Sequence, residues 1–274
     1  MPTEIFFQEN ELTTPFVSED RIFLGEGLFE TLRFCDSKPC YPEHHWQRLS
    51  EAASLLAIPF TISLKLWIEK LNELIYLKKM PEGGIKVILG GGKASRGLVE
   101  RSNESHLLFN AFQYVKSTKP LKLVSATWLR DAKNPIYQLK TVNYLEAIIA
   151  RRQAEATGAD DVLFFNFKNQ ATETTIANLF IIKNNRLLTP PLKSGVLAGI
   201  IRRRLLTLCK EQGIACVETE LNKISLIQAD AAFTTNALQG IRKIGSCDGH
   251  VYNVNHALID LAQELLTKDP FCHH

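Results

Sequence analysis

A lysine and a glutamate carry the first chemical signal in the chain. Lys140 stands between Leu139 and Val142 in the run L-K-T-V-N-Y-L-E-A, although lysines ordinarily occupy the solvated face of an element rather than an apolar junction. A lysine partly withdrawn from water is more readily a neutral amine, able to condense with an aldehyde as a Schiff base and later to carry a proton. Glu173 follows in A-T-E-T-T. A carboxylate set against a pyridine nitrogen keeps that nitrogen protonated and makes the ring an electron sink. Those are the protein groups that pyridoxal-phosphate chemistry requires. Spacing alone leaves the plainer reading in front, an exposed lysine and a strand-edge glutamate, because local pattern says little about tertiary proximity.

The elements around the pair follow from periodicity. Tyr144, Leu145, Ile148, Ile149, Ala154 and Ala156 recur at helical spacing, which predicts a helix over 143–157 with Gly158 as its left-handed cap. Val162–Phe165 suits a buried strand, Lys168–Gln170 a turn, and Ala171–Thr175 the start of the next strand. Lys140 is thus expected at a helix entrance and Glu173 on a strand two elements later.

Earlier in the chain, residues 4–34 read as short strands and turns ending in E-T-L-R-F at 30–34, with a hairpin over 35–38. Pro42 opens a helix striped by Trp46, Leu49, Ala53 and Leu56, with Arg48 beside the stripe; by itself such an arginine reads as a surface residue. Ser63 caps a second helix, of structural character, through Leu64, Trp67, Ile68, Leu71, Leu74 and Ile75. Strands at 85–89 and 106–112 flank a loop with three consecutive glycines. That loop lacks the spacing of a P-loop or a dinucleotide fingerprint, and reads as a wall of an active site with Arg96 or Arg101 as carboxylate contacts.

The polar segment 114–120, ending in proline, marks a linker. The expected division is a lobe over 1–114, a linker over 115–120 and a larger lobe over 121–274 carrying the lysine. A strand is expected at 121–129, a hairpin over 178–189 around Asn184 and Asn185, and a glycine turn at 195–199 leading into a helix. The unsatisfied amides at that helix start suit a phosphate. Arg202–Arg204 point in different directions on a helix, so a solvated face is preferred over a binding patch. Strands at 215–218 and 231–235 flank a short helix at 224–229. A D-G turn at 248–249 and an amphipathic C-terminal helix read as packing.

Composition narrows the classes. With 274 residues and 45% hydrophobic content the chain can build two cores. A net charge of +3 gives no case for nucleic acid but is compatible with an anionic substrate. Apolar runs fall short of the roughly eighteen residues of a membrane span, and the N-terminus lacks a leader pattern, so no membrane role and a cytoplasmic location are expected. Six cysteines without C-x-x-C pairs, and histidines without ligand spacing, give no metal site; the cysteines are expected as reduced thiols.

Several motifs taken together resemble one family. They are G-E-G-L-F-E-T-L-R at 25–33, H-W-Q-R-L at 45–49, K-T-V-N-Y-L-E-A at 140–147, G-A-D-D-V-L at 158–163, T-E-T-T-I-A-N-L-F-I-I at 172–182, G-V-L-A-G-I-I-R at 195–202 and F-T-T-N-A-L-Q-G-I-R-K-I at 233–244. In this order they resemble the fold-type IV pyridoxal-phosphate enzymes, the class IV aminotransferase family, across nearly the whole chain.

The resemblance implies an α/β (α+β) fold of a small N-terminal and a larger C-terminal lobe with pyridoxal 5'-phosphate at their interface, commonly in a homodimer. It assigns the Schiff base to Lys140, phosphate contacts to Arg48, Gly199, the Ile200 and Ile201 amides, Asn236 and Ala237, the pyridine nitrogen to Glu173, and a place near the phenolate to Tyr144. Glu30 and Thr31 are read as structural. The family includes branched-chain aminotransferases, D-amino-acid aminotransferases and aminodeoxychorismate lyases. The short chain, the R-G dipeptide at 96–97 and T-N-A-L at 235–238 look like the lyase branch of folate synthesis; N-Y-L after the lysine is similar to the branched-chain enzymes. The R-x-H clamp of the D-amino-acid branch is missing from 90–106. A cofactor-binding protein without turnover is disfavoured, because every residue the chemistry needs is present.

Overall fold

The structure, a computed structural model, describes residues 4–7 and 20–271; what was expected for residues 8–19 and for Cys272 lies outside them. The chain divides into two units, one of residues 1–115, 139–143 and 270–273, the other of 116–138 and 144–269 with residue 274.

The first unit contains β1 (Glu4–Phe7), β2 (Gly27–Cys35), β3 (Lys38–Pro39), α1 (Pro42–Leu56), α2 (Leu64–Lys78), β4 (Gly83–Gly90) and β5 (His106–Phe112). Its five-stranded sheet has the order β1-β5-β4-β2-β3, antiparallel except where β1 runs parallel to β5. The apolar stripes of α1 and α2 pack Leu49, Ala53, Trp67, Leu71 and Leu74 with Leu28, Leu32, Ile85 and Val87 of the sheet. Removing that apolar surface from water is the main driving force for the unit. Ser63 caps α2 by accepting from the Leu66 amide, as the sequence predicts.

Residues 139–143 return to this unit and lie along β2: the Phe29 amide donates to the Lys140 carbonyl at 2.9 Å and the Val142 amide to the Gly27 carbonyl at 3.0 Å. Lys140 is therefore tied by backbone to the first unit, whereas the expected division placed it in 121–274. The reason is that L-K-T-V extends and bonds to the glycine end of β2, a long-range pairing that leaves no local pattern.

The second unit contains β6 (Leu121–Arg130), α3 (Leu145–Ala156), β7 (Asp161–Asn166), β8 (Ala171–Thr174), β9 (Asn178–Lys183), β10 (Arg186–Thr189), α4 (Ile200–Glu211), β11 (Cys216–Glu218), α5 (Lys223–Ile227), β12 (Ala231–Asn236), β13 (Gly240–Cys247), β14 (His250–Val251) and α6 (Ala257–Thr267). Its nine-stranded sheet runs β11-β10-β9-β12-β13-β6-β7-β8, with β14 on β13. β8 also pairs with β9 through Glu173 and Asn178, which closes the path from β9 through β12, β13, β6 and β7 back to β8. Leu121, Leu163, Phe165, Leu179, Ile181 and Ile244 fill one core. Asn184 and Asn185 turn the β9–β10 hairpin at φ of 51° and 57°, the left-handed region that asparagine tolerates.

Three expectations are corrected. α3 begins at Leu145 rather than 143, and it buries Ala150 and Ala154 while Leu145, Ile148 and Ile149 stand exposed; the alanines allow close approach to Val162 and Phe164. Of the run Arg202–Arg204 only Arg203 is exposed, so the expected solvated face holds for that residue alone. Arg202 is buried, donating to the Pro190 carbonyl and pairing with Glu218, and Arg204 pairs with buried Asp269. Cys35, Cys209, Cys216 and Cys247 are free thiols, but Cys40 is disulfide-bonded, against the expectation of six reduced thiols.

Candidate active site

In the first unit, Lys140 is half-buried, its Nζ 4.3 Å from the centroid of the Phe29 ring. The neighbouring Glu30 side chain is buried beneath α1. His45 and Arg48, three apart on one helix face, both reach it: His45 Nδ1 lies 2.6 Å from Glu30 Oε2, and Arg48 donates from Nε to Oε1 at 2.7 Å and from Nη2 to Oε2 at 2.6 Å. Burial would raise the Glu30 carboxyl, but Arg48 and His45 outweigh it and hold it at about 2. Burial pushes the His45 imidazole down to about 4 against the pull of Glu30. At neutral pH the trio is therefore an ionised carboxylate, a guanidinium and a neutral imidazole whose Nδ1–H donates. The fork fixes the Arg48 guanidinium in one orientation. The sequence shows His45 and Arg48 as one motif and Phe29-Glu30 as another; that they meet is not visible in either.

Arg96 and Arg101 are exposed, and line a cavity of about 930 Å³ with Arg21, Lys93, Ser102 and Glu104. Arg21 anchors the loop from within, pairing with Glu26 and donating to the Gly97 and Leu98 carbonyls.

In the second unit, Glu173 on β8 is half-buried. Its Oε2 accepts from Asn178 Nδ2 and from the Leu197 amide, each at 3.1 Å. Arg130, at the end of β6, approaches its Oε1 to 3.6 Å. Sequence reading missed Arg130, since an arginine closing a strand has no spacing signal toward a glutamate on another strand.

Gly199 is the N-cap of α4, and no side chain caps the helix. A Cβ at Gly199 would lie 1.9 Å from Asn178 Oδ1, so any larger residue would have to displace that side-chain amide, and the first amides, those of Ile200 and Ile201, suit an anion. Asn236 ends β12 and Ala237 follows it, both half-buried, and the neighbouring Thr235 Oγ1 is buried without a hydrogen-bond partner. Asn236 Oδ1 is engaged by the Leu238 and Gln239 amides. Tyr144 is the N-cap residue of α3 and half-buried. The structure thus groups Lys140, Arg48, Arg96 and Arg101 in the first unit, and Tyr144, Glu173, Gly199, Ile200, Ile201, Asn236 and Ala237 in the second.

Taken unit by unit, the groups suit parts of pyridoxal phosphate: in the second, an uncapped helix start and a buried hydroxyl without a partner; in the first, a held arginine for an anion and a half-buried lysine for the aldehyde. Among the described residues there is no cluster of side chains that could hold a metal ion, and no helix is long and apolar enough to cross a membrane.

Comparison with known proteins agrees. Residues 27–247 match the family Amino-transferase class IV. A crystal structure from Legionella pneumophila, of a protein provisionally named 4-amino-4-deoxychorismate lyase, is 51% identical with a TM-score of 0.95, covering 98% of this chain and all of that one. The aminodeoxychorismate lyase of Bacillus subtilis is 27% identical over 84% of this chain and 80% of its own length. The branched-chain-amino-acid aminotransferase of Escherichia coli is 26% identical over 85% and 80%. The chain belongs to the class IV aminotransferase family, and is a pyridoxal-phosphate-dependent enzyme of fold type IV.

Proposed function

We propose that the enzyme is a 4-amino-4-deoxychorismate lyase, eliminating pyruvate to give 4-aminobenzoate for folate synthesis. The observation that carries this reading is the 51% identity over nearly the full chain to the Legionella protein provisionally named for that activity, well above the identities to the curated relatives quoted above.

The bound cofactor supplies an electron sink for the carbon next to the substrate amine. Lys140 would hold the cofactor through Nζ, and the same amine is the group to take the C4 proton of the substrate; loss of that proton with the enolpyruvyl group makes the ring aromatic, and the departing enolpyruvate takes up a proton to become pyruvate. Arg48, held by Glu30, would serve as a phosphate contact. The Ile200 and Ile201 amides, with Gly199, Asn236 and Ala237, would likewise serve phosphate. Glu173 would accept a hydrogen bond from the protonated ring nitrogen, and Tyr144 would serve the phenolate. Arg96 and Arg101 meet the substrate carboxylates, which suits an anionic amine in the cavity they line. We place the enzyme in the cytoplasm as a homodimer; the exposed Leu145, Ile148 and Ile149 of α3 support a second copy.

A second reading, an aminotransferase for branched-chain or D-amino acids, rests on relatives such as the E. coli enzyme. One experiment separates the two. Cofactor-loaded enzyme is mixed with aminodeoxychorismate and, separately, with amino acids. Release of 4-aminobenzoate with the visible cofactor band retained is expected. Conversion of the cofactor to its pyridoxamine form by an amino acid, with aminodeoxychorismate untouched, would establish the transaminase instead.

A further inference from the structure

Asn178 stands in the middle of a row that crosses three strands of the second unit. On β9 it is in register with Glu173 of β8 on one side and with Thr235 of β12 on the other, and residues paired in this way face the same side of a sheet. Its side chain is buried, and the carboxamide nitrogen donates twice, to Glu173 Oε2 at 3.1 Å and to the Leu197 carbonyl at 2.9 Å. The Leu197 amide donates to the same Glu173 Oε2 at 3.1 Å, so carboxylate, carboxamide and the backbone of Leu197 close a circuit of hydrogen bonds. The Leu197 carbonyl also accepts from the Gly199 amide at 2.8 Å, and Asn178 Oδ1 lies 1.9 Å from where a Cβ of residue 199 would stand. An asparagine suits this place, because one planar group delivers two donors and turns its oxygen to the glycine; an aspartate would offer no donor.

We infer that Asn178 is a positioning residue whose carboxamide ties the Glu173 carboxylate to the turn 197–199, and so holds the ring-nitrogen partner and the phosphate contacts at the start of α4 in one fixed relation. This rests on the assignment of Glu173 to the ring nitrogen and of the Gly199 turn to the phosphate. Ring nitrogen and phosphate belong to one small molecule, so the groups that receive them must keep their separation if both are to bind at once. Residues 196–199 belong to no helix or strand, whereas Asn178 is fixed by strands on both sides. A buried donor left unpaired is costly; the carboxamide therefore keeps both acceptors, and the turn cannot shift from Glu173 without breaking one of its bonds.

The test uses full-length enzyme loaded with pyridoxal phosphate labelled with nitrogen-15 in the ring, and reads the ring-nitrogen and phosphorus-31 resonances by NMR; borohydride trapping on Lys140 verifies loading in each variant. Glu173→Gln, which alters the ring-nitrogen partner itself, sets the reference shift. Asn178→Ala is expected to move the nitrogen resonance in the same direction and by less, and to move the phosphorus resonance as well. Gly199→Ala is expected to move the nitrogen resonance too, because its Cβ displaces the carboxamide, and to move it no further in an Asn178→Ala background. A structural role alone would lower the unfolding free energy of Asn178→Ala and leave both resonances in place, which overturns the inference and leaves the reading of Glu173 intact. A nitrogen shift opposite to that of Glu173→Gln also overturns it, since the amide would then act on the basicity of the carboxylate and not on its place. Should Asn178→Ala not fold, a nitrogen resonance unmoved by Gly199→Ala overturns the inference equally. A nitrogen resonance that Glu173→Gln does not move overturns the reading of Glu173 and the inference together.

Discussion

Each unit of this chain places an arginine against acid, a buried one in the first and two partly buried ones in the second, and the two assemblies differ in how the cation is divided. In the first unit, Glu30 meets Arg48 and His45 and nearly all its acceptor capacity is taken at 2.6–2.7 Å. One anion faces one cation with a neutral imidazole beside them, out of water. In the second, Arg130 is shared between Glu146, at 2.9 Å, and Glu173, at 3.6 Å. A closed pair fixes geometry, which is what gripping a dianionic phosphate requires. A cation shared between two carboxylates is held less exclusively by either. The same residue types thus form a closed pair in one place and a shared one in the other.

The sharpest way to break the comparison is to remove the shared acid of the closed assembly. Glu30→Ala leaves the Arg48 charge and the His45 donor without their buried partner, and breaking such a pair typically costs about 3–5 kcal/mol. Denaturant unfolding of the full chain should show a loss of that size, together with weaker cofactor binding. Stability close to wild type would mean that water or movement of Arg48 relieves the site, and that the assembly is less closed than its distances indicate.

Acid titration sharpens the contrast at intermediate size. Unfolded His45 takes a proton below about 6.5, whereas the folded imidazole resists until about 4. The unfolded state therefore binds more protons in that window, and stability falls as pH falls from 6.5 toward 4. Glu30 extends the loss: its folded pKa of about 2 lies below the ordinary carboxylate value, so its contribution is fully present above the unfolded pKa and is lost as pH drops toward 2. His45 alone should account for about 1–3 kcal/mol between pH 7 and 4. Unfolding free energies of wild type and His45→Gln across that range test this, and an identical slope in the two would assign the acid sensitivity elsewhere.

What was legible in the sequence tracks how local the cause is. The Ser63 cap, the Pro42 helix start, the Asn184-Asn185 turn and the uncapped Gly199 helix start depend on a few consecutive residues, and the structure has them. The family motifs brought in Lys140, Arg48 and Glu173, which periodicity could not. What stayed hidden depends on contacts between distant segments. Nothing in L-K-T-V announces that it will bond to the start of β2, or in F-E that its carboxylate lies under His45 and Arg48. The phase of α3 was misread because Leu145, Ile148 and Ile149 are its most apolar residues, yet packing chose the small Ala150 and Ala154 for the sheet. Arg202 was misread for the converse reason: a consecutive basic run looks solvated, and only Glu218 on β11 and the Pro190 carbonyl draw it inward.

The smallest expected effect falls on the shared cation. Glu146 is about 30% exposed, and its contacts with Arg130 form at the margin of the second unit's sheet. Partly exposed ion pairs are worth about 0–1 kcal/mol, and without Glu146 the guanidinium still has Glu173, Phe164 and Tyr137. Glu146→Gln should therefore leave the unfolding free energy within about 1 kcal/mol of wild type, against several for Glu30→Ala. A loss as large as that of Glu30→Ala would show that Glu146 is part of a second clamp. A small loss would mean that Glu146 contributes to folding no more than a partly exposed ion pair does.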